Sequence, residues 1–238
     1  HSTIKKPYKI TVLEKKFSLV DRFLYFGKQS TIYKTLCQEY SLSEFSIIHA
    51  HTLFSAGYSS YLIYKNFGLP YIVAIRGTDL LFFKYMFHLR GIGITIMKNA
   101  QNIVFLSSAY RDFIVNKYVS KKNRQKILDK SFVIPNGIDE YFLENKFTSK
   151  KFINTKIIKL IYIGQLTSNK NIETTIQACE LLLEKGYSIE YKIVGEIIDI
   201  KYRKTIANYS FINYHPRCSK EEVVKYLRNS EIFIMPSI

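Results

Sequence analysis

Short runs of β-branched and aromatic residues alternate along this chain with longer stretches in which apolar residues recur every three or four positions. Residues 8–13, 46–49, 71–75, 102–106 and 131–134 have the first pattern and predict strands, whereas 57–67, 92–100 and 109–119 have the second and predict helices. A polar segment with Lys146, Thr148, Ser149, Lys150 and Lys151 breaks the rhythm. The alternation then resumes with strand 157–163, a helix to Lys185, strand 188–194, a helix around Tyr202, strand 211–214, helix 220–229 and strand 232–235. Strands that are each followed by a helix pair in parallel and need both sheet faces covered, so two such arrays predict an α/β protein with two parallel-sheet domains. The expected boundaries are 1–138 for the first domain, 139–155 for a linker and 156–238 for the second domain.

At 238 residues the chain is long enough for two cores. Its hydrophobic fraction of 47%, with 15% aromatic residues, excludes disorder as the default state. Against 19 Asp and Glu stand 35 Lys and Arg, a formal net charge of +16, which points to polyanionic partners: phosphate-bearing ligands, anionic lipid surfaces or nucleic acid. Cys37, Cys179 and Cys218 are isolated, so neither a zinc ribbon nor a disulfide scaffold is expected and a reducing cytosol fits. No apolar run reaches the roughly 18 residues that span a bilayer, so any membrane contact is expected at the surface.

Two segments of the chain's middle carry candidate chemistry. Pro135 fixes φ and ends the apolar run 132–134, and Asn136-Gly137 supplies two residues tolerant of positive φ, so a sharp chain reversal is expected there. After strand 157–163 come Gly164, a short polar loop and a helical pattern carried by Ile172, Ile176, Cys179 and Leu183. Such a strand–loop–helix unit presents free backbone N–H groups and a positive dipole end to an anion, with Lys170 placed to add a full charge. An ordinary βα connection with a solvated lysine has the same pattern.

At the end of the strand at 46–49, His49 and His51 flank Ala50, and alternation puts both on one side. Ligands of open α/β sheets bind beyond such strand ends, which makes His51 a candidate; the alternative is a satisfied structural His49 with His51 partly exposed. Arg76, Thr78 and Asp79 follow the next strand and could orient a hydroxyl or phosphate, or form a solvated turn with Asp79 as an N-cap. Residues 80–90 mix large apolar side chains with Lys84, His88 and Arg90, while Lys117, Lys121, Lys122, Arg124, Lys126 and Lys130 crowd a stretch with few acids. Both suit a membrane surface; a buried interface helix followed by a solvated lysine loop is the alternative.

In order, the segments FSIIHAHTLFSAGYSSYLIYKNFGLPYIVAIRGTD, IVFLSSAYRDFI, VIPNGID, IYIGQLTSNKNIETTIQACELL, IVGE and EIFIMPS resemble the glycosyl transferases of group 1, with retention of anomeric configuration and the GT-B fold. The resemblance covers nearly the whole chain from Ser46 onward. It implies two Rossmann-like domains facing across a cleft, and transfer of a sugar from a nucleotide diphosphate to a glycan or lipid-linked acceptor, as in assembly of a bacterial surface polysaccharide or glycolipid. By the same resemblance His51, Arg76 and Asp79 are catalytic candidates, and Asn136, Gly137, Gly164, Gln165, Lys170, Asn171, Gly195 and Glu196 are donor-binding candidates. No metal ligand set and no D-x-D pair is visible, so no metal and no cofactor beyond the nucleotide sugar is expected, nor is nucleic acid. The location expected is cytoplasmic, with peripheral contact on the inner face of an anionic membrane.

The chain departs from the group's pattern in places. Gln165 stands where the group has Arg, and Arg76 where many members have His. The chain opens on His1 and stops at Ile238, before the Glu-x7-Glu segment of the group, so it is expected to be a fragment lacking both ends, inactive by itself, prone to aggregate and weak in binding sugar nucleotides. Two other readings fit the same architecture: a sugar-nucleotide 2-epimerase, or a non-catalytic basic α/β module that binds anionic lipid or nucleic acid.

Overall fold

Residues 25–146 and 157–237 are described by the computed structural model of the protein; the strand expected at 8–13 and most of the expected linker lie outside the described residues. The chain divides into two compact units, His1–Asn136 and Gly137–Ile238.

In the first unit, β1 (Ile48–Ala50), β2 (Tyr71–Ile75), β3 (Asn102–Phe105) and β4 (Ser131–Val133) form a parallel sheet in the order β1-β2-β3-β4. Central strand β2 is apolar along its length because helices cover both of its faces. Tyr71, Val73, Ile75, Ile103 and Phe105 from the sheet pack with Leu53, Phe54, Phe83, Ile96, Met97 and Ile114 into one core. The Tyr71 hydroxyl enters that core with a partner, donating to the Ile96 carbonyl at 2.6 Å. The helices are α1 (Tyr25–Glu39), α2 (Gly57–Phe67), α3 (Gly77–Tyr85), α4 (Arg90–Asn99), α5 (Ser108–Tyr118) and α6 (Lys121–Leu128). A Cβ on Gly93 would lie 2.7 Å from the Phe54 ring and 3.0 Å from the Phe83 ring, so only glycine lets α4 come this close to the core.

Three features of this unit were not given by hydrophobic periodicity. Residues 77–90 are the helix α3, a 3₁₀ turn at Phe87–Leu89 and the start of α4. The lysine-rich stretch folds as α6, because Lys, Arg and Gln are good helix formers and Ile127 gives the helix a buried anchor. Helix α1 has no apolar stripe to reveal it, and its one buried residue is Gln29. The Gln29 amide donates to the Phe54 carbonyl at 3.2 Å and accepts from Ser59 Oγ at 3.1 Å, so distant polar contacts hold the helix.

The expected reversal at Asn136-Gly137 is also absent: residues 134–139 form neither turn nor regular element, and neither residue has positive φ. Arg76 Nη1 donates to Asn136 Oδ1 at 2.5 Å, and this anchor holds Asn136 at the end of a stretch leading straight off β4.

The second unit repeats the plan. Its strands β5 (Ile157–Ile163), β6 (Ser188–Val194), β7 (Ile212–His215) and β8 (Ile232–Phe233) are parallel in the order β7-β6-β5-β8. Its helices are α7 (Glu140–Glu144), which falls in the stretch expected to be linker, α8 (Ile172–Glu184), α9 (Lys201–Ala207) and α10 (Lys220–Arg228). Tyr162, Leu166, Ile172, Cys179, Tyr191, Ile193 and Tyr202 make the core. Helix α10 begins with a capping box in which Ser219 Oγ accepts from the Glu222 N–H and Glu222 accepts from the Ser219 N–H. Asp139 caps α7 by accepting from the Tyr141 N–H and pairs with Lys220, which joins α7 to α10.

Candidate functional site

Within the second unit the loop from Gly164 to Asn171 is held from four sides. The N–H groups of Gly164 and Leu166 donate to the carbonyls of Val194 and Glu196, each at 2.9 Å, so β5 and β6 stay paired beyond their formal ends. This corrects the expectation that the loop's first N–H groups are free for an anion. Tyr162, fully buried, donates its hydroxyl to the Gln165 carbonyl at 2.9 Å. Asp199 accepts from the Ser168 N–H at 2.6 Å and from Ser168 Oγ at 2.8 Å, fixing the 3₁₀ turn Ser168–Lys170.

Asn171 joins that turn to α8 in the left-handed region, with φ of 50° and ψ of 40°. Its Oδ1 accepts from Thr174 Oγ1 at 3.0 Å and its Nδ2 donates to the Pro236 carbonyl at 3.3 Å. The loop therefore delivers Gln165, exposed, and Lys170, half-buried, on a fixed backbone beside the N-terminus of α8. Among the described residues no hydrogen bond or ion pair engages the Lys170 ammonium.

Gly195 packs directly on this loop. Its φ is +150° and a Cβ there would fall 1.9 Å from the Gly164 carbonyl oxygen. Next to it Glu196 lines a cavity of about 760 Å³ together with Tyr214, Arg203 and Arg217. Tyr214 donates to the Gly195 carbonyl at 3.0 Å, so the loop after β6 and the end of β7 are tied together. Sequence reasoning missed Arg203 and Arg217; the position of Arg217 just past the carboxyl end of β7 is the signal that could have found it.

A second missed group is Glu173, in the first turn of α8, which joins Lys201 at 2.7 Å and the Tyr202 hydroxyl at 2.9 Å. Burial works against its ionisation, but the hydrogen bonds from Lys201 and Tyr202 and the Lys201 charge hold the carboxyl below the usual glutamate range. It spans α8 and α9 and is committed to that role.

In the first unit the His49 and His51 rings lie 4.2 Å apart, both residues are exposed, and no hydrogen bond engages the His49 ring among the described residues, which corrects the reading of His49 as a satisfied structural histidine. Partial burial of its ring and the neighbouring charges of His51 and Arg76 lower the His49 pKa. Arg76 Nε donates to the His51 carbonyl at 3.2 Å, so this guanidinium gathers β1, β2 and Asn136 around itself.

Asp79 is buried, and its carboxylate accepts from the N–H groups of Arg76 at 2.8 Å, Leu53 at 3.1 Å and Phe54 at 3.2 Å. Desolvation raises its pKa, opposed by those three N–H donors. It is the third residue of α3 in a capping box whose N-cap is Arg76, and not itself the N-cap. Its oxygens face the backbone, so it positions Arg76 and the loop after β1. The structure thus brings His51, Arg76, Asp79 and Asn136 together, and separately Gly164, Gln165, Lys170, Asn171, Gly195 and Glu196; Gly137 opens the second unit outside any regular element.

Two parallel four-stranded sheets with loops at their strand ends have the GT-B fold, and the comparisons agree with it. Residues 144–238 match the family model "Glycosyl transferases group 1". An uncharacterized glycosyltransferase of Methanocaldococcus jannaschii is 23% identical over 197 residues, covering 80% of this chain and 49% of that protein. The amylovoran biosynthesis glycosyltransferase AmsK of Erwinia amylovora is 26% identical over 88 residues, 34% of this chain and 21% of AmsK. Among solved structures, TarM superposes with a TM-score of 0.57 at 16% identity, over 86% of this chain and 39% of TarM. Anabaena HepE in complex with UDP and glucose gives a TM-score of 0.57 at 12% identity, over 94% of this chain and 59% of HepE. The family matched over residues 144–238 is the one the sequence resembles, and this chain spans about half or less of the curated relatives it matches.

Proposed function

We propose that this protein transfers a sugar, with retention of configuration, from a nucleotide diphosphate sugar to a glycan or lipid-linked acceptor in assembly of a surface polysaccharide, on the cytoplasmic side of the membrane. The observation that carries the reading is the braced loop from Gly164 to Asn171, which places Lys170, unpaired among the described residues, immediately before the N-cap of α8. When the bond from sugar to phosphate breaks, negative charge grows on the leaving diphosphate; a fixed cation and a helix N-terminus stabilise that charge without having to reorganise. Gln165 adds a neutral donor where the group has a second cation. The acceptor side is assigned to His51 and Arg76, whose polar atoms lie beyond the carboxyl ends of β1 and β2, where open α/β sheets bind ligands. That HepE was solved with UDP and AmsK is named for amylovoran biosynthesis supports the donor and pathway assigned here.

The test is to incubate the protein with UDP-, GDP- and ADP-sugars and a panel of glycan and polyprenyl-phosphate acceptors, following nucleotide release and the glycosylated product. Acceptor-dependent release with an unchanged anomeric centre, read by NMR, supports the reading. Epimerised donor without transfer, or no turnover and no nucleotide-sugar binding, overturns it.

A further inference from the structure

The corner between α3 and α4 carries large apolar side chains that the core does not use. Leu81, Tyr85 and Phe87 are 55%, 65% and 72% exposed, although Phe83 and Leu89 on the same stretch are fully buried. The helices meet at 107° around Met86, and neither is long and apolar enough to cross a membrane. The corner is rigid: Arg90 donates to the Phe83 carbonyl at 2.6 Å and the Lys84 carbonyl at 3.1 Å, closing the end of α3, and its guanidinium lies 5.0 Å from the Tyr118 ring. A braced corner that holds several large apolar side chains in water has the character of a contact surface.

Charge decides which partner fits. From Gly77 to Asn99 the chain has one acid, Asp79, and it is buried with its carboxylate engaged by backbone N–H groups. Among the described residues no ion pair engages Lys84, Arg90 or Lys117. Lys84 lies 4.9 Å from the Tyr85 ring, and Lys117, at the end of α5, lies 5.0 Å from the half-exposed Phe113 ring and 5.8 Å from Tyr118, the ring that Arg90 also covers. The one exposed acid on these elements, Asp112 of α5, is paired with Arg111 at 2.9 Å. Aromatic and aliphatic residues flanked by lysines match the interfacial zone of an anionic bilayer: the rings enter the headgroup region and the ammoniums meet lipid phosphates.

We propose that the corner formed by Leu81, Tyr85, Met86 and Phe87, flanked by Lys84 and Lys117, docks the protein onto an anionic lipid membrane. The proposal concerns binding alone and its test needs no transfer activity, so it stands or falls apart from the proposed function.

The protein is mixed with sedimenting vesicles of phosphatidylcholine, with and without about one third phosphatidylglycerol, at low and physiological salt. It should bind the anionic vesicles and not the neutral ones. Phe87→Ser with Leu81→Ser should reduce binding at least about ten-fold, and Lys84→Gln about five-fold, the effect of one basic residue at such a surface. The control Lys204→Gln, which removes the same charge from α9, should change binding less than two-fold, and circular dichroism melts should show every variant folded. Equal binding to neutral and anionic vesicles, an undiminished double serine variant, or equal losses from Lys84→Gln and Lys204→Gln would each overturn the proposal. So would a dimer in sedimentation velocity that Phe87→Ser dissolves, since the corner would then be occupied by a second copy.

Discussion

Gly195 and Gly164 touch through their backbones: the Cα hydrogen of Gly195 points at the Gly164 carbonyl, in space where a Cβ would sit 1.9 Å from that oxygen and 2.7 Å from its carbon. One loop ends β5 and the other ends β6, so this contact sets the position of everything downstream in both, including Lys170 and Glu196. A side chain at either position meets a different obstacle. At Gly195 the obstacle is backbone, and φ of +150° adds conformational strain; at Gly164 it is the Tyr162 hydroxyl at 2.8 Å, the end of a side chain. Gly195→Ala should therefore destabilise the second unit by about 3 kcal/mol, and Gly164→Ala by about 1 kcal/mol. Denaturant titration of both variants checks the order, which is the informative part of the prediction.

Gln165 is the exposed donor where the group has an arginine. Placing a guanidinium there adds a second cation beside Lys170 on a backbone that the Tyr162 hydroxyl already fixes. Gln165→Arg should tighten binding of a nucleoside diphosphate about ten-fold, and Lys170→Ala should weaken it by a similar factor, in line with charge-assisted hydrogen bonds of about 1.5–3 kcal/mol. Isothermal titration with UDP, GDP and ADP reads both changes; the same affinity in both variants would remove this loop from the donor site.

Asp79 accepts three backbone N–H groups and offers its surroundings no other function. Replacing it with Asn turns an NH₂ toward at least one of those donors and leaves it unpaired in a buried site. Asp79→Asn should cost the first unit about 2–4 kcal/mol and loosen the backbone around Arg76. Thermal melts measure the loss, and hydrogen exchange at Leu53 and Phe54 locates it.

Lys130 gives a pH signature. Its ammonium donates to the carbonyls of Lys98 at 2.7 Å and Ala100 at 2.6 Å, yet burial, with the charge of Lys126, lowers its pKa from 10.5 to about 8. Between those values the unfolded chain holds a proton that the folded protein has released, so stability attributable to Lys130 rises with pH through the window from 8 to 10.5. The melting temperature of the wild type minus that of Lys130→Met should accordingly grow from pH 8 to pH 9.5. A difference that stays flat or shrinks would mean the amine keeps its proton in the folded state.

Most strands and the longer helices were legible because one periodicity dominates each of them: the helix at Gly57–Phe67 and the strands Tyr71–Ile75, Ile157–Ile163 and Ser188–Val194 follow the apolar pattern residue for residue. Helix α1 was not legible, since its one buried side chain is Gln29 and its partners Phe54 and Ser59 lie 25 and 30 residues away. Helices α3 and α6 were obscured for opposite reasons: α3 is apolar nearly all round and α6 is nearly all polar, so neither shows a face. The Asn-Gly pair misled because turn propensity is a local preference, and the Arg76 guanidinium on Asn136 overrides it.

Order and spacing along the chain by themselves determined the fold class, the two parallel arrays and the candidate loops, because hydrophobic periodicity and βα connectivity are properties of sequence separation. Which atoms within those loops are available was decided only by tertiary structure. Asp79 looked like an active-site acid until Leu53 and Phe54 supplied its partners, and the Gly164 N–H looked free until β6 claimed it. Lys170 and Arg217 remain open because no described residue reaches them. Availability depends on groups brought together from distant parts of the chain, and hydrogen bonds saturate: once the sheet or a buried carboxylate has taken a donor, its residue type no longer says what it can bind.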